Sequence, residues 1–160
     1  MNVVVNTAPL LFLSHINRLP VLRAFGLIWT PEAVVSEIRR KQDEKTQAVN
    51  QALAEWLIIK PAEDKNLLAV LNAELDRGEA EVLAVAIEQK ADWVVLDDQD
   101  ARRYAHRYGL KVIGTLGLLA WAKKKGLISS LKKEIERLRD AGIYATDELI
   151  VGLLHEVKEA

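Results

Sequence analysis

Residues 93–101 read WVVLDDQDA: an apolar run passes directly into Asp97, Asp98 and Asp100. Carboxylates crowded within ~4–6 Å raise one another's pKa and strain a fold unless a cation neutralises them. An oxygen-only donor set, without His or Cys, suits Mg²⁺ or Mn²⁺ better than zinc. A hard cation held this way binds phosphate oxygens and activates water, which is the chemistry of metal-assisted phosphodiester hydrolysis. A helix N-cap accounts for one Asp after a strand. It does not account for Asp97 and Asp98 together.

Other residues belong to the same pattern. Asn6 and Thr7 follow the β-branched run Asn2–Val5, and Gly114 and Thr115 follow Lys111–Ile113. Glu79 falls in the first turn of one helical pattern, where a favourable helix dipole is the plainer explanation. Glu37 falls late in another, where pairing with Lys41 four residues on is the plainer explanation. No single acid is specific. Their joint placement is the signal.

The elements that must position these residues alternate. Short apolar runs at 2–5, 27–29, 56–59, 92–96 and 111–113 read as strands. They are uniformly apolar and do not alternate, as in strands covered on both faces. Helical patterns lie between them. One begins at Thr30 as N-cap with Pro31 in first position. DRGEAEVLAVAIEQK sets Ala80, Leu83, Ala84 and Ile87 on one face. Two more end at Gly109 and Gly126, and two amphipathic helices cover about 130–140 and 146–155. The polar stretch KQDEKTQAVNQ is the least core-like segment and reads as a solvated helix or loop. This alternation predicts an α/β fold, a three-layer α/β/α sandwich with a mainly parallel sheet of about five strands, as one domain over residues 1–160. In such sheets ligands bind outside the carboxyl ends of the strands, the level at which Asn6, Asp97, Asp98, Asp100 and Thr115 all fall.

Composition narrows the classes. The chain has 160 residues and no cysteine, which removes disulfides and thiolate metal sites and points to a cytoplasmic setting. No apolar run approaches the ~18 residues of a membrane span, and the N-terminus lacks the basic flank of a secretory signal. Net charge is −1, so any nucleic-acid surface must be local. ARRYAHRYG offers one, with Arg102, Arg103 and Arg107 interleaved with Tyr104 and Tyr108, although the tyrosine spacing also fits a packed helical face. Lys123, Lys124 and Lys125 suit either phosphates or a solvated helix end. His15, His106 and His155 read as surface or structural groups. The tryptophans at 29, 56, 93 and 121 are expected in the core.

VVVNTAPLLFLSHI, IWTPEAVVSEI, LDRGEAEVLAVAIEQKADWVVLDDQDARRYA and GLKVIGTLGLLAWAKKKGLI together resemble the PIN-domain family. The resemblance spans nearly the whole chain and is nearer to the bacterial and archaeal branch related to the toxins of VapBC toxin–antitoxin pairs. GEAEVLAVA, LDDQDAR and GTLGLL are its specific segments. It implies a PIN-like fold and a metal-dependent nuclease cutting single-stranded RNA, with acids around Mg²⁺ or Mn²⁺. By position these fall on Asn6, Glu37, Glu79 and Asp98, with Asp97 and Asp100 as auxiliary acids and Thr7 and Thr115 as hydroxyls at the rim. Arg102 and Arg103 would meet the RNA. The family habit also implies a homodimer and an antitoxin protein partner. The chain departs from the pattern at its first acid, usually Asp and here Asn6, and at Ala8, where a serine is common. Asn still offers a carbonyl oxygen to a metal but removes one negative charge, so weakened or altered catalysis is expected rather than none.

Other acid-bearing folds fit less well. A receiver-type domain wants an acidic pair after the first strand, where Asn6 stands, and a Lys after the last, where Gly114 stands. A dinucleotide-binding domain needs a glycine-rich turn where NTAPL stands. An EF-hand loop needs a Gly and a distal Glu that DDQDARRYAH lacks. A Toprim-like nuclease would use Asp98 and Asp100 but expects Glu after the first strand. The strongest rival is a PIN-like scaffold that binds RNA or protein while Asn6 disables the chemistry.

Overall fold

The computed structural model describes residues 1–41 and 43–160, with the Lys45 side chain outside the description. Gln42, within the polar stretch noted above, therefore lies outside the described residues. Five strands form one sheet: β1 (Asn2–Val5), β2 (Leu27–Thr30), β3 (Ile58–Ile59), β4 (Trp93–Val95) and β5 (Val112–Ile113). All neighbours are parallel, in the order β3-β2-β1-β4-β5. Each of the five apolar runs thus contributes a strand. Val3, Val4, Val5, Val94 and Val95 are fully buried. Consecutive strand residues point to opposite faces, so helices must cover both sides of the sheet, which makes three layers.

The helices supply that cover. They are α1 (Thr7–His15), α2 (Pro20–Phe25), α3 (Glu32–Lys41), α4 (Glu44–Glu55), α5 (Lys65–Asn72), α6 (Arg77–Glu88), α7 (Gln99–Arg107), α8 (Thr115–Lys124), α9 (Leu131–Asp140) and α10 (Asp147–Glu156). The α6 helix packs on β1, β4, α3 and α5. Its Ala80, Val82, Leu83, Ala84, Val85 and Ala86 are all fully buried, a wider face than an amphipathic reading assigns, because it is enclosed between sheet and neighbouring helices. On α8, Leu118 and Leu119 are fully buried as the helix packs on α1, α2, α9 and α10. Each such leucine contributes roughly 1.5–3 kcal/mol by leaving water. Trp29 is buried, and Trp93 and Trp121 are half-buried around Phe25, with ring centroids 6.1 and 4.9 Å from it.

Several ends match their local chemistry. Ser130 caps α9 and Thr146 caps α10 by accepting from the backbone N–H of Lys133 and Leu149. Gly109 and Gly126, just past α7 and α8, take φ of +74° and +75°, the left-handed conformation that ends helices. Thr30 differs from the expected N-cap. It is the last residue of β2, and its buried hydroxyl donates to the Val5 carbonyl at 2.9 Å. It fastens the carboxyl ends of β1 and β2 together. From Glu44 onward the polar stretch forms α4, whose Thr46, Val49 and Ala52 are buried where it packs on α1 and α3. Among the described residues, no helix is long and apolar enough to cross a membrane.

Candidate active site

Strands β1 and β4 are neighbours, yet chain order runs outward from β1 to β2 on one side and reaches β4 only later on the other. Their carboxyl ends therefore form a topological switch point, where helices leave in opposite directions and a crevice opens. The backbone N–H of Asn6 donates to the Val95 carbonyl at 3.1 Å, so the residues after both strands start level. A cavity of about 460 Å³ lies here, lined by Asn6, Thr7, Glu37, Asp76, Glu79 and Asp98, and further along α1 by Ala8, Leu11, Phe12 and His15. Lys41, Asp43 and Ala141 complete its wall.

Each acidic group reaches the cavity for a local reason. Asn6 is the N-cap of α1 with extended backbone, but its side chain makes no cap hydrogen bond, so its amide is left for the cavity. Glu37 is the sixth residue of α3. The Thr7 hydroxyl donates to its Oε2 at 2.8 Å, and Lys41 Nζ lies 3.9 Å from its Oε1. Asp76 caps α6 by accepting from the Glu79 N–H at 2.8 Å, which leaves Glu79 one turn in. Asp98 caps α7 by accepting from the Ala101 N–H at 2.9 Å through Oδ1. Gly78 shows how close the groups are. A Cβ built there would lie 3.6 Å from Asp76 Oδ1, 3.6 Å from Glu37 Oε2 and 3.8 Å from Asn6 Oδ1. Oxygens from three separate elements thus surround one point beside the bare backbone of α6.

The electrostatics follow from this crowding. Burial pushes the Glu79 carboxyl from the ordinary 4.5 up to about 8, helped by a hydrogen bond with Asp76 and by the charges of Asp76 and Asp98. Without a cation the site therefore sheds part of its charge by holding a proton on Glu79. Among the described residues, no group of three Asp, Glu or His side chains stands ready-made around one metal position. The donors converge on one cavity, but each carboxylate is occupied by a second partner: a helix N-terminus, Thr7, Lys41 or a proton. The set is all oxygen and mostly anionic, which fits a hard divalent cation such as Mg²⁺ or Mn²⁺ and not zinc.

The remaining candidates lie elsewhere. Asp97 does not line the cavity. Its Oδ1 accepts from the Thr115 N–H at 2.7 Å and its Oδ2 from the Thr115 hydroxyl at 2.6 Å. Thr115 is fully buried, so the pair fastens the end of β4 to the start of α8. Arg102 Nη1 reaches the Leu96 carbonyl at 3.4 Å. Together Arg102 Nη1 and Asp97 Oδ1 fill the space a side chain at Gly114 would need, 2.7 and 2.9 Å from its Cβ position. Asp100 pairs with Arg103 on an exposed face of α7, beside Glu74, Tyr104 and Arg107. Of the two rim threonines, only Thr7 borders the cavity.

The lining residues that the sequence did not mark for the site include Asp76, Asp43, Lys41, His15, Leu11 and Phe12. For Asp76 a signal existed, since an Asp three residues before Glu79 has N-cap spacing. For His15 the signal was the spacing Ala8, Leu11, Phe12, His15, one face of a helix. The surrounding apolar run masked it.

Comparison with known proteins agrees with this architecture. The family model described as DUF3368: PIN domain matches residues 2–159. The chain belongs to the PIN-domain family. The PIN fold is also that of a solved structure, a PilT N-terminus domain protein from the hyperthermophilic archaeon Sulfolobus solfataricus P2. The two share 21% identity and a TM-score of 0.58, over 76% of this chain and 93% of that one. At that identity the likeness shows the fold alone. No curated protein matches the chain in sequence. PIN domains are generally nucleases that use divalent metals and act on nucleic acid, and this PIN domain carries an acidic cavity at the switch point of its sheet.

Proposed function

We propose that this PIN domain, one domain over residues 1–160, is a Mg²⁺- or Mn²⁺-dependent ribonuclease. It hydrolyses phosphodiester bonds of single-stranded RNA in the cytoplasm, as the homodimeric toxin of a type II toxin–antitoxin pair. One observation supports the chemistry. Asn6, Glu37, Glu79 and Asp98 come from four different elements, are separated by up to 92 positions in sequence, and line the same cavity. Carboxylates gathered at one point repel one another unless a cation offsets their charge.

In this reading Asn6, Glu37, Glu79 and Asp98 would hold the cation, with Asp76 lining the same cavity. When bound, the cation would polarise the scissile phosphate and make an attacking water more acidic. The rest is done by the chain. Thr7 orients Glu37 through its hydroxyl. Asp98 keeps one oxygen on the α7 N-terminus and offers the other. Glu79 would have to be ionised to hold the cation. Asp97 serves as a positioning residue, because its grip on Thr115 holds the loop that carries Asp98. Asp100, Arg102 and Arg103 stand outside the cation site.

The test is RNA cleavage with Mn²⁺ by the parent, Asp98→Asn and Asn6→Asp. Asp98→Asn is expected to abolish cutting while keeping the cap, and Asn6→Asp to keep or raise it. Equal cutting by Asp98→Asn and the parent would remove Asp98 from the reaction. A second reading, a non-catalytic PIN-like scaffold for RNA or protein, draws on the neutral Asn6 side chain and on carboxylates that already have other partners. Calorimetry separates the two, since no Mn²⁺ binding at millimolar metal by a folded protein favours the scaffold.

A further inference from the structure

Metal chemistry explains only one end of the cavity. A water occupies about 30 Å³ of liquid, so a cation with six waters leaves more than half of the roughly 460 Å³ unfilled. That remaining space runs along α1. Ala8, Leu11, Phe12 and His15 recur at three- and four-residue intervals, which puts them on one face. At 1.5 Å per residue, Phe12 lies about 9 Å along the helix from Asn6, within the reach of one nucleoside. The floor is carbon up to His15, an exposed residue in the last turn. Beyond it the cavity meets a second depression, lined by Ser14, His15, Asn17, Asp43 and Glu44.

The charge of this far end decides what can lie there. The exposed acid Glu44 disfavours phosphate there, and the Lys41 ammonium is already near Glu37. A half-buried aromatic ring on an apolar floor suits the neutral, flat part of a nucleotide. Aromatic side chains stack on unpaired bases with little regard to sequence. A ring N–H at the end of the floor can then meet a base edge.

We propose that the cavity face of α1 is a nucleobase subsite, in which the base next to the scissile phosphate stacks on Phe12 and Leu11 and His15 hydrogen-bonds its edge. The proposal rests on the nuclease reading for the place of the phosphate. A base can stack there only when it is out of a duplex, so the subsite selects single strands.

The experiment is a cycle of protein and substrate changes. A short single-stranded RNA carries one abasic nucleotide, moved stepwise across the cleaved bond. It is cut with Mn²⁺ by the parent, Phe12→Ala, Phe12→Tyr and His15→Ala, each first shown to be folded by circular dichroism. With the parent, one abasic position beside the cleaved bond is expected to lower kcat/KM about tenfold or more. Phe12→Ala should lose that penalty, Phe12→Tyr should keep it, and His15→Ala should flatten the preference among the four bases. If the parent cuts but shows no such position, or Phe12→Ala retains the full penalty, the subsite is overturned and the nuclease stands. If the parent binds the RNA without cutting, the same cycle is read in Kd, and the subsite is judged there while the nuclease reading falls. If it neither cuts nor binds, both fall. Should Phe12→Ala fail to fold, Phe12→Leu and the exposed His15→Ala decide the result in the same way.

Discussion

Asn6 and Gly78 show how much a single residue can set at this site. Asn6 stands where an N-cap would ordinarily spend its side chain on its own helix, and it makes no such bond. Gly78 is the second residue of α6, and three oxygens lie within 3.8 Å of the place its side chain would occupy. Added there, a methyl would be in ordinary contact with them and would clash with nothing. Alanine also favours helix over glycine by up to about 1 kcal/mol. Gly78→Ala should therefore melt at the same temperature as the parent or slightly higher, yet bind Mn²⁺ more weakly. Thermal melts with and without Mn²⁺ check this, and an unchanged metal-induced shift would place the cation away from Gly78.

At the level of elements, the site is made of helix starts and strand ends. Asp76 and Asp98 cap α6 and α7 while facing the cavity; Asp98 spends one oxygen on its helix, and Asp76 both caps α6 and hydrogen-bonds the Glu79 carboxyl. Adjacent to Asp98, Asp97 does a different job, fastening β4 to α8 through Thr115. The two positions should respond differently to substitution. Asp98→Asn keeps a good cap and should cost little stability. Asp97→Ala strands the N–H and hydroxyl of a fully buried threonine, a loss of roughly 1–3 kcal/mol or more. Urea unfolding of both variants measures the contrast. Equal midpoints would mean that Asp97 does not hold the loop.

Over the whole molecule, protonation links the site to stability. Glu79 has a folded-state pKa raised to about 8, by burial first and then by Asp76 and Asp98. A raised carboxyl contributes stability that is fully present below 4.5 and is lost as pH rises toward about 8. Glu159 works in the opposite sense. Burial alone would raise it, but the N–H groups of Leu131 and Lys132, the Ser130 hydroxyl and Lys123 hold it below the usual carboxylate value. Its contribution is present above that usual value and is lost as pH falls. Glu37, Asp43, Lys41 and His15 also face the cavity and shape its field. The metal-free protein should thus lose stability between about pH 4.5 and 8, and Mn²⁺ should restore it most at the upper end. Mn²⁺ should also displace about one proton per cation below pH 8, read by calorimetry in buffers of different ionisation enthalpy. Stability that stays flat over this range would show that Glu79 is not crowded.

Much of this was legible in the chain. Buried strands announce themselves as uniformly apolar runs, and all five were readable. Ser130, Thr146, Gly109 and Gly126 marked helix ends through chemistry that needs no distant partner. Asn6, Glu79 and Asp98 could be named because each sits at or near an element's end, whereas Glu37, in the middle of α3, was named through the family resemblance. The sequence alone therefore determined the five strands and the helices α3, α6, α7, α8, α9 and α10, while α1, α2 and α5 were not read from it. Thr30 was ambiguous, because a threonine serves equally as a cap or as a strand end, and only the nearby Val5 carbonyl decided between them. The α1 helix was hidden because its core and cavity faces are both apolar. Which of two adjacent aspartates looks into the cavity was settled only in three dimensions, since neighbours on an extended chain point to opposite sides. Strand order, too, is a tertiary fact. It brings the ends of β1 and β4 together although some 90 residues separate them, and no local pattern encodes that meeting.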